Sequence, residues 1–380
     1  MAKGLYVHIP FCEYICYYCD FNKFLINNQP VDEYLEALER ELASYTMDQL
    51  QTVYIGGGTP TALSAVQVEK LMQIMNRHVP VGQLEEYTVE VNPGDVGKEK
   101  LSLLKAGGVD RLSIGVQTFH DSQLNSIGRG HSANEAKETV QAARQAGFDN
   151  ISIDLMFGLP GQTMKDWEET LDEAMALAPP HVSAYSLKIE KQTRFYNWWR
   201  EGRIAPLPEE EEADMYELLV DRLESHGLDA YEISNFASAG YSSRHNRIYW
   251  QNEEYIGAGA GAHGYTDGVR YANIKPLNHY IQAVQEKGSP VQTTHPVTRK
   301  EQIEEEMFLG LRLYEGVSTE RFYQKYGCAV EDIYPESIQE AKRKEWLTEA
   351  EGRLFLTEEG KLLGNEVFAL FLLDDEPENN

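Results

Sequence analysis

The chain has 380 residues, of which 42% are hydrophobic and 25% are charged. This composition excludes a disordered protein, because it supplies enough apolar surface to bury a sizeable core. The 34 Lys and Arg residues stand against 61 Asp and Glu residues, which gives a formal net charge of −27. A surface of that sign repels nucleic-acid backbones and anionic membranes, so we expect neither as a partner.

No segment has the length and composition of a membrane span or of a signal peptide. The longest apolar run, residues 367–373, is well below the ~18 apolar residues that suggest a transmembrane helix. A strand-like run begins at residue 4, where a signal peptide would approach its apolar stretch. We therefore expect a cytoplasmic protein without an integral membrane segment.

Short β-branched or aromatic runs alternate with helix-length amphipathic segments through the first half of the chain. Regular βα alternation produces parallel strands with right-handed crossovers, so the pattern predicts either a doubly wound sheet or a barrel. The predicted strands are residues 4–9, 52–55, 87–91, 111–116, 151–156 and 182–188, and the predicted helices include residues 31–46, 64–77, 133–146 and 167–177.

Polar residues at the ends of the predicted strands decide between these two folds. A cysteine-rich loop follows the first strand, and the later positions are Gly56 to Thr61, Glu90, Asn92, Gln117 and Asp154. The carboxyl ends of all strands open on one face of a barrel, whereas a doubly wound sheet concentrates its site at one switch point. We therefore predict an α/β fold in which residues 1–205 form an incomplete (β/α)6 barrel.

The alternation stops beyond residue 205, where the sequence predicts two further parts. Residues 206–300 form an α+β extension of the barrel with a Gly-rich stretch, and residues 301–373 have the element order of a small winged-helix-like module. Residues 301–380 hold 8 Lys and Arg against 20 Asp and Glu, which is unsuited to DNA. We interpret the module as a packing or partner-binding unit and residues 374–380 as an acidic disordered tail.

Trp198 and Trp199 form an aromatic pair flanked by Arg194, Arg200 and Arg203. Adjacent aromatic residues of this kind are most often buried packing, and a lid or a partner surface is the alternative. The sequence leaves both interpretations open.

Three of the four cysteines, Cys12, Cys16 and Cys19, crowd one short loop, and Cys328 lies alone. This is no disulfide framework, and such spacing is typical of a metal or cluster site. A structural zinc site takes four ligands, whereas a [4Fe–4S] cube held by three cysteines leaves one iron open. We therefore predict that the three loop cysteines hold a [4Fe–4S] cluster; a zinc site completed by His8 or another His is the alternative. Cys328 is predicted to be a buried small side chain.

Five motifs follow one another along the chain. They are Cys12-x-x-x-Cys16-x-x-Cys19, Gly56 to Thr61, Glu90-x-Asn92-Pro93, Gly115-Val116-Gln117 and Ile153 to Pro160. With them the chain resembles the radical S-adenosylmethionine (SAM) superfamily, in the branch of the oxygen-independent coproporphyrinogen oxidases and their haem-chaperone paralogues. The resemblance implies that the open iron binds the methionine part of SAM. It also implies that reduction of the cluster cleaves SAM to a 5′-deoxyadenosyl radical.

The resemblance also implies which residues surround SAM, although it assigns no catalytic residue. Backbone at Gly57, Gly58 and Thr59 would approach the SAM amino group, where a side chain would block access. Glu90 would accept hydrogen bonds from the ribose hydroxyls. The remaining expected SAM contacts are Tyr6, Tyr18, Gln117, Arg129 and Asp154.

Two positions distinguish members of this branch. The decarboxylating oxidases carry a further cysteine two positions after the third, where this chain has Phe21. The chain also fits the His-Asn-x-x-Tyr-Trp signature of the chaperone side. Its expected haem contacts there are His245, Asn246, Tyr249 and Trp250, since His can ligate haem iron and the two aromatic rings offer flat apolar faces. Arg244 and Arg247 would pair with the haem propionates, and His263 is another candidate contact.

We therefore predict a haem chaperone that carries a [4Fe–4S] cluster and SAM and delivers haem to haem-dependent proteins, respiratory ones among them. The sequence leaves open whether the chain is an enzyme and whether it is a monomer or a dimer. The alternative function is an oxygen-independent coproporphyrinogen III oxidase, which decarboxylates propionates by radical chemistry. A third interpretation is a zinc-bound regulatory protein with a winged-helix end.

Overall fold

The computed structural model describes residues 1–373 and divides into two compact units. The first unit comprises Met1–Asp229, Ser234–His245 and Glu254–His295, and the second comprises Ala230–Ile233, Asn246–Glu253 and the chain from Pro296 onward. Among the described residues, no helix combines the length and the apolar character needed to cross a bilayer. The predicted acidic tail, residues 374–380, lies outside the described residues.

Six parallel strands form the centre of the first unit and are neighbours in chain order. Each begins within one residue of its predicted start and ends within two residues of its predicted end. The strands are β1 (Gly4–Ile9), β2 (Thr52–Gly57), β3 (Glu86–Val91), β4 (Arg111–Gln117), β5 (Asn150–Phe157) and β6 (His181–Ser186). The α/β class is confirmed, and the barrel is incomplete as predicted, because the described strands form an open series and not a closed ring.

Helices connect these strands and cover the sheet, so the strand interiors are apolar. Ile55, Leu112 and Ile153 are fully buried, as expected where helices cover a parallel sheet. Side-chain caps fix several helix starts; for example, Ser64 caps α2 in a reciprocal arrangement with Gln67. The helices of the first unit are α1 (Val31–Leu42), α2 (Ala65–His78), α3 (Lys98–Ala106), α4 (Asp121–Ser126), α5 (Ala133–Gln145), α6 (Met164–Ala176), α7 (Arg194–Arg200), α8 (Glu209–Glu224) and α10 (Leu277–Lys287). Between them, α9 (Arg244–Trp250) begins in the first unit, and its residues from Asn246 onward belong to the second.

The sheet continues beyond the six predicted strands on both sides. On one side β8 (Asn235–Ala237) pairs antiparallel with β6, and β7 (Asp229–Glu232) belongs mostly to the second unit. On the other side β9 (Tyr255–Ala258) returns to pair parallel with β1. It is followed by β10 (His263–Thr266), β11 (Val269–Asn273) and β12 (Val291–Pro296). The Gly-rich stretch of the sequence is therefore β9 and its turn into β10.

The second unit is built around a small antiparallel sheet in the order β13, β15, β14, formed by β13 (Val317–Ser318), β14 (Leu347–Ala350) and β15 (Arg353–Leu356). Phe322, Leu354 and Phe371 are fully buried in its core. The helical region between residues 330 and 343 is interrupted before Pro335, because proline has no N–H for the helical ladder. The helices are α11 (Arg299–Gly310), α12 (Thr319–Tyr326), α13 (Val330–Ile333), α14 (Pro335–Arg343), α15 (Glu358–Leu362) and α16 (Gly364–Ala369).

Candidate functional site

The three clustered cysteines follow β1, and all three are free thiols. Cys12 ends a two-residue strand, Phe11–Cys12, that pairs with Phe24–Leu25, and Cys16 and Cys19 lie on the loop between these two short strands. Cys12 is buried and accepts a hydrogen bond from Thr59 Oγ1 at 3.7 Å. Cys16 Sγ accepts one from Arg129 Nη1 at 3.6 Å. Cys19 is half-buried, and its carbonyl oxygen accepts from Lys23 Nζ. The loop therefore presents three sulfur atoms, two of which already receive hydrogen bonds.

The environment of these thiols suits a bound cationic centre. Burial raises the pKa of the Cys12 thiol to about 12 and also raises the pKa of Cys19, so isolated thiols would stay protonated at neutral pH. Direct bonds to iron remove that proton and compensate the burial of the sulfur charge. Three thiols on one loop fit a [4Fe–4S] cluster with one open iron.

His8 is not placed to complete a zinc site, which was the alternative. Its Nδ1 lies 2.9 Å from Tyr6 OH, and its Nε2 lies 2.7 Å from the carbonyl oxygen of Asn22. Both ring nitrogens therefore have partners, and the ring is 5% exposed. Asn22 is part of the chain that leaves the cysteine loop. The hydrogen bond between His8 and Asn22 therefore holds the end of that loop against β1.

A row of hydrogen bonds connects the cysteine loop to the ends of three strands. Asn92 follows β3, donates from Nδ2 to Thr59 Oγ1 at 2.8 Å, and accepts at Oδ1 from Arg129 Nη2 at 2.7 Å. Arg129 also donates to the carbonyl oxygen of Gly115 on β4. Asn92 was not among the expected SAM contacts. Its position could have been predicted from sequence, because Asn92 comes two residues after Glu90 and residues i and i+2 of a strand share a face.

Glu90 is held in an orientation fixed by two donors. Its Oε1 accepts from Tyr54 OH at 2.8 Å, and its Oε2 accepts from the backbone N–H of Gly57 at 3.0 Å. Burial raises the pKa of this carboxyl group to about 7, and the nearby Asp154 adds to the rise. A Cβ on Gly56 would lie 2.5 Å from the Glu90 carboxyl carbon. The packing of Glu90 therefore requires a glycine at position 56.

Asp154 and Gln117 extend this polar surface across β4 and β5. Ser113 Oγ donates to both carboxylate oxygens of Asp154, and Ser152 Oγ donates to Oδ1 at 3.1 Å. Burial raises the pKa of Asp154. Gln117 has a φ of 69° at an irregularity in the β4 register, so its side chain departs from the regular strand alternation.

The remaining expected SAM contacts have structural neighbours of their own. Tyr6 stacks on Tyr54 with ring centroids 6.2 Å apart. Tyr18 packs in an apolar cluster with Ile127, Leu159 and Phe195, and its burial raises the pKa of the phenol. A Cβ on Gly57 would lie 2.2 Å from His8 Nδ1, and one on Gly58 would lie 2.7 Å from two backbone oxygens.

His245, the expected haem ligand, is closed inside the first unit. Its side chain is 1% exposed, its Nδ1 lies 2.7 Å from Thr52 Oγ1, and its ring stacks on Tyr54 at 5.3 Å. Burial lowers the pKa of the imidazole to about 3, and the nearby Arg111 adds to this. The ring offers no open face to a macrocycle in this arrangement. Arg244, expected to meet a propionate, pairs with Glu85.

The other expected haem contacts belong to the second unit. Asn246, Tyr249 and Trp250 are half-buried, and the Arg312 guanidinium lies over the Trp250 ring at 4.4 Å. The cavity beside Trp250 has a volume of about 90 Å³, much smaller than a haem. Arg247, the second expected propionate partner, pairs with Glu315 at 2.6 Å.

His263, which begins β10 in the first unit, is exposed. A ligand can reach its ring without a rearrangement of the chain. The assignment of haem to these residues stays a prediction.

Residues 6–174 match the Radical SAM superfamily, and residues 297–363 match the HemN C-terminal domain. A Bacillus subtilis protein described as "Heme chaperone HemW" is 52% identical over 375 residues, which is 97% of this chain and 99% of that protein. The chain belongs to the HemW family of radical SAM proteins. A HemW from Lactococcus lactis is 45% identical over 98% of both chains.

The fold of this HemW family member is shared with a solved enzyme of the same superfamily. Coproporphyrinogen III oxidase (HemN) from Escherichia coli superposes with a TM-score of 0.84 over 98% of this chain and 90% of that one. The two sequences are 24% identical, so the likeness shows the fold alone. The family match over residues 6–174 and the 52% identity to a HemW confirm the resemblance to the radical SAM superfamily, and membership implies a [4Fe–4S] cluster and SAM.

Proposed function

We propose that the chain is a haem chaperone that holds a [4Fe–4S] cluster and SAM, binds haem and passes it to haem-dependent proteins. The observation that carries this proposal is the 52% identity to the Bacillus subtilis haem chaperone over 97% of the chain. Phe21 supports the same choice, since the further cysteine expected of the decarboxylating oxidases is absent at that position.

In this proposal Cys12, Cys16 and Cys19 hold the cluster. When bound, the cluster supplies an open iron for SAM and a site of one-electron chemistry. Thr59 and Arg129 donate hydrogen bonds to two of the sulfur atoms. Such bonds orient the ligands and stabilise their negative charge, as outer partners do at other metal sites.

SAM would lie on the polar surface that the strand ends form. Glu90 would accept from the ribose hydroxyls, and Tyr54 and Gly57 fix the direction of its carboxylate. Gln117 and Asp154 continue this surface on β4 and β5. Gly58 lets the chain after β2 pack closely against the carbonyl oxygens of Ile9 and Phe11, next to the cysteine loop.

We include His245, Asn246, Tyr249 and Trp250 as haem contacts in the proposal. Because His245 is enclosed by Thr52 and Tyr54, its contact with haem requires α9 to leave those neighbours. Haem binding through this segment is therefore coupled to a movement of α9.

The cluster is tested by anaerobic reconstitution of the wild type, Cys12→Ser and the matched control Cys328→Ser. Cys328 packs at the edge of the second unit's core and is not one of the loop thiols. The wild type and the control should each hold about four iron and four sulfide per chain, as a cube requires, and Cys12→Ser should hold far less. Zinc without iron in the reconstituted wild type would overturn the proposal.

Haem binding is tested by a titration with haem, and the alternative oxidase function is tested by a turnover assay. Haem should give a saturable Soret change, weaker in His245→Ala than in His279→Ala, a control at an exposed histidine of α10. The same protein with reductant, SAM and coproporphyrinogen III should form no vinyl product beyond background. Repeated turnover would establish the oxidase instead, and an unchanged His245→Ala spectrum would remove that residue as the ligand.

A further inference from the structure

The side chain of Asn92 joins two residues that donate hydrogen bonds to the thiols of the cysteine loop. Its Nδ2 lies 2.8 Å from Thr59 Oγ1, and its Oδ1 lies 2.7 Å from Arg129 Nη2. Thr59 Oγ1 in turn lies 3.7 Å from Cys12 Sγ, and Arg129 Nη1 lies 3.6 Å from Cys16 Sγ. One amide group therefore contacts the hydrogen-bond donors of two of the three loop cysteines.

Arg129 determines which way the Asn92 amide points. An amide has an oxygen that accepts and a nitrogen that donates, whereas a guanidinium group only donates. The amide oxygen therefore faces Arg129, and the amide nitrogen faces Thr59. Because that nitrogen only donates, Thr59 Oγ1 accepts from it, and the single hydrogen of the hydroxyl group is directed to Cys12 Sγ. The hydrogen bonds thus run in one direction, from the guanidinium group to the Cys12 sulfur.

The same amide holds the guanidinium group of Arg129 in one orientation. Arg129 Nη2 donates to Asn92 Oδ1 and to the carbonyl oxygen of Gly115. These two acceptors use both hydrogens of Nη2, so the other terminal nitrogen, Nη1, is turned toward Cys16. Nη1 has two hydrogens, and the second can meet an anion beside the cysteine loop. In the proposed function that anion is the carboxylate of SAM, which an arginine binds through charge-assisted hydrogen bonds.

The backbone around Asn92 and the glycine of the β4 end keep this arrangement in place. The backbone N–H of Asn92 donates to Thr61 Oγ1 at 3.3 Å, and its carbonyl oxygen accepts from the backbone N–H of Asp95 at 3.3 Å. A Cβ at Gly115 would lie 3.0 Å from Arg129 Nη2 and 3.3 Å from Asn92 Oδ1. A larger residue at position 115 would therefore press on both members of the pair.

We propose that Asn92 is a positioning residue for both the cluster and SAM. Through Thr59 it keeps a hydrogen bond on the sulfur of Cys12, which stabilises the negative charge of that ligand. Through Arg129 it keeps a cationic donor aimed at the carboxylate of SAM. The inference deepens the proposed function and rests on it for the presence of the cluster and SAM.

The test combines Asn92→Leu, which removes the amide but keeps a similar size, with one variant of each neighbour. Thr59→Val removes the hydroxyl group, and Arg129→Met removes the guanidinium group. The two double variants, Asn92→Leu with Thr59→Val and Asn92→Leu with Arg129→Met, complete two double-mutant cycles. The matched control is Asn134→Leu, at an exposed asparagine of α5.

The first cycle follows the release of iron from the reconstituted cluster to a chelator. We expect Asn92→Leu and Thr59→Val each to release iron about tenfold faster than the control, as the loss of partners around metal ligands does elsewhere. The double variant should be little faster than Thr59→Val alone, because the hydroxyl group through which Asn92 acts is already absent. Both single variants should also shift the same Fe–S stretching band in the resonance Raman spectrum.

The second cycle measures the dissociation constant of SAM with the reconstituted protein. We expect Asn92→Leu to raise this constant about tenfold relative to the control, which is the size expected for one hydrogen bond to a charged group. Arg129→Met should raise it at least as much. Adding Asn92→Leu to Arg129→Met should then have little further effect, since no guanidinium group remains to be positioned.

Additive effects in either cycle would overturn the inference, because Asn92 would then not act through that neighbour. Iron release and SAM affinity in Asn92→Leu equal to those of the control would overturn it as well. Thermal denaturation checks that each variant folds, and Asn92→Ala, which adds no apolar bulk, replaces Asn92→Leu in both cycles if the latter does not fold. A wild type that takes up no iron would instead contradict the proposed function, and the inference would fail with it.

Discussion

At the scale of single residues, Glu90 shows how one carboxyl group can be both fixed and titratable near neutral pH. Tyr54 and Gly57 donate to its two oxygens, which favours the charged form, but burial outweighs them and raises its pKa to about 7. The folded chain therefore keeps this proton to a higher pH than the unfolded chain, whose value is 4.5.

A pH dependence of stability follows from Glu90. Between pH 5 and pH 7 the unfolded chain has released the proton and the folded chain has not, so rising pH favours unfolding by up to about 1.4 kcal/mol per unit. Glu90→Gln lacks this contribution. We expect the melting temperature of Glu90→Gln, relative to that of the wild type, to rise from pH 5 to pH 7, as measured by thermal denaturation. Parallel curves would show that Glu90 is not protonated in the fold.

A second prediction concerns Gly57, whose φ of 107° disfavours any other residue. An added Cβ would lie 2.2 Å from His8 Nδ1, so Gly57→Ala forces either the backbone or the His8 ring to move. We expect a loss of at least ~2 kcal/mol in the free energy of unfolding. Gly82→Ala is the matched control, because an added Cβ there meets nothing within 4 Å. Equal stability of the two variants would contradict the prediction.

At the scale of elements, Glu41 joins α1 to the strands that follow the Gly-rich stretch. It is fully buried and accepts from Tyr280 OH at 2.6 Å, Gly259 N at 2.9 Å and Asn273 Nδ2 at 2.7 Å. These donors lie on α10, on the turn after β9 and on β11. The Glu41 side chain thus connects α1, near the start of the chain, to three segments that come more than 200 residues later.

Glu41→Ala should therefore destabilise the first unit far more than an ordinary surface change. It leaves several buried donors without an acceptor, each of which costs about 1–3 kcal/mol. We expect a loss of at least ~3 kcal/mol in the free energy of unfolding by denaturant titration. Glu36→Ala, on the same helix but with an exposed pair to Lys70, should lose less than about 1 kcal/mol. A Glu41→Ala variant as stable as Glu36→Ala would refute this role.

The six central strands are predictable from sequence because apolar residues recur in them at strand spacing, as Leu112, Ile114 and Val116 do, between polar and Gly-containing loops. The return of β9 beside β1 is not predictable in the same way. Tyr255–Ala258 is four residues long and contains Gly257, so it has neither the length nor the bulk of a strand signal. Its place is set by long-range contacts, among them the bond from Gly259 to Glu41.

In the candidate site, too, residues that share one loop could be predicted from sequence, whereas contacts between distant parts of the chain could not. Cys12, Cys16 and Cys19 were predictable from spacing alone, since they share one loop. Tyr54, which orients Glu90, carries no such signal, because an aromatic residue within a strand is ordinary core material. The enclosure of His245 also depends on Thr52, 193 residues earlier in the chain.

At the scale of the whole molecule, the net charge of −27 makes stability depend on ionic strength. Like charges repel across a compact surface, and salt screens that repulsion. Surface ion pairs weaken as well, but each contributes only about 0–1 kcal/mol. We expect the melting temperature at pH 7 to rise between about 10 and about 200 mM NaCl, a range over which the screening length falls from about 30 Å to less than about 10 Å.

The increase in melting temperature with salt should be smaller at pH 5. This pH is close to the isoelectric point of about 4.8, so the net charge is small. This measurement at pH 5 is the control for effects of salt other than screening. A melting temperature that falls with salt at pH 7 would show that ion pairs outweigh the general repulsion.

The strand order has a consequence for synthesis on the ribosome. β1 is the first strand to emerge, yet it lies between β2 and β9, so one of its edges stays unpaired until Tyr255–Ala258 has been translated. Asn22, which leaves the cysteine loop, likewise waits for the carbonyl oxygens of Ala260 and Lys275. The chain that leaves the cysteine loop therefore completes its hydrogen bonds only after Lys275 has been translated, and we expect stable uptake of an iron–sulfur centre to follow that stage.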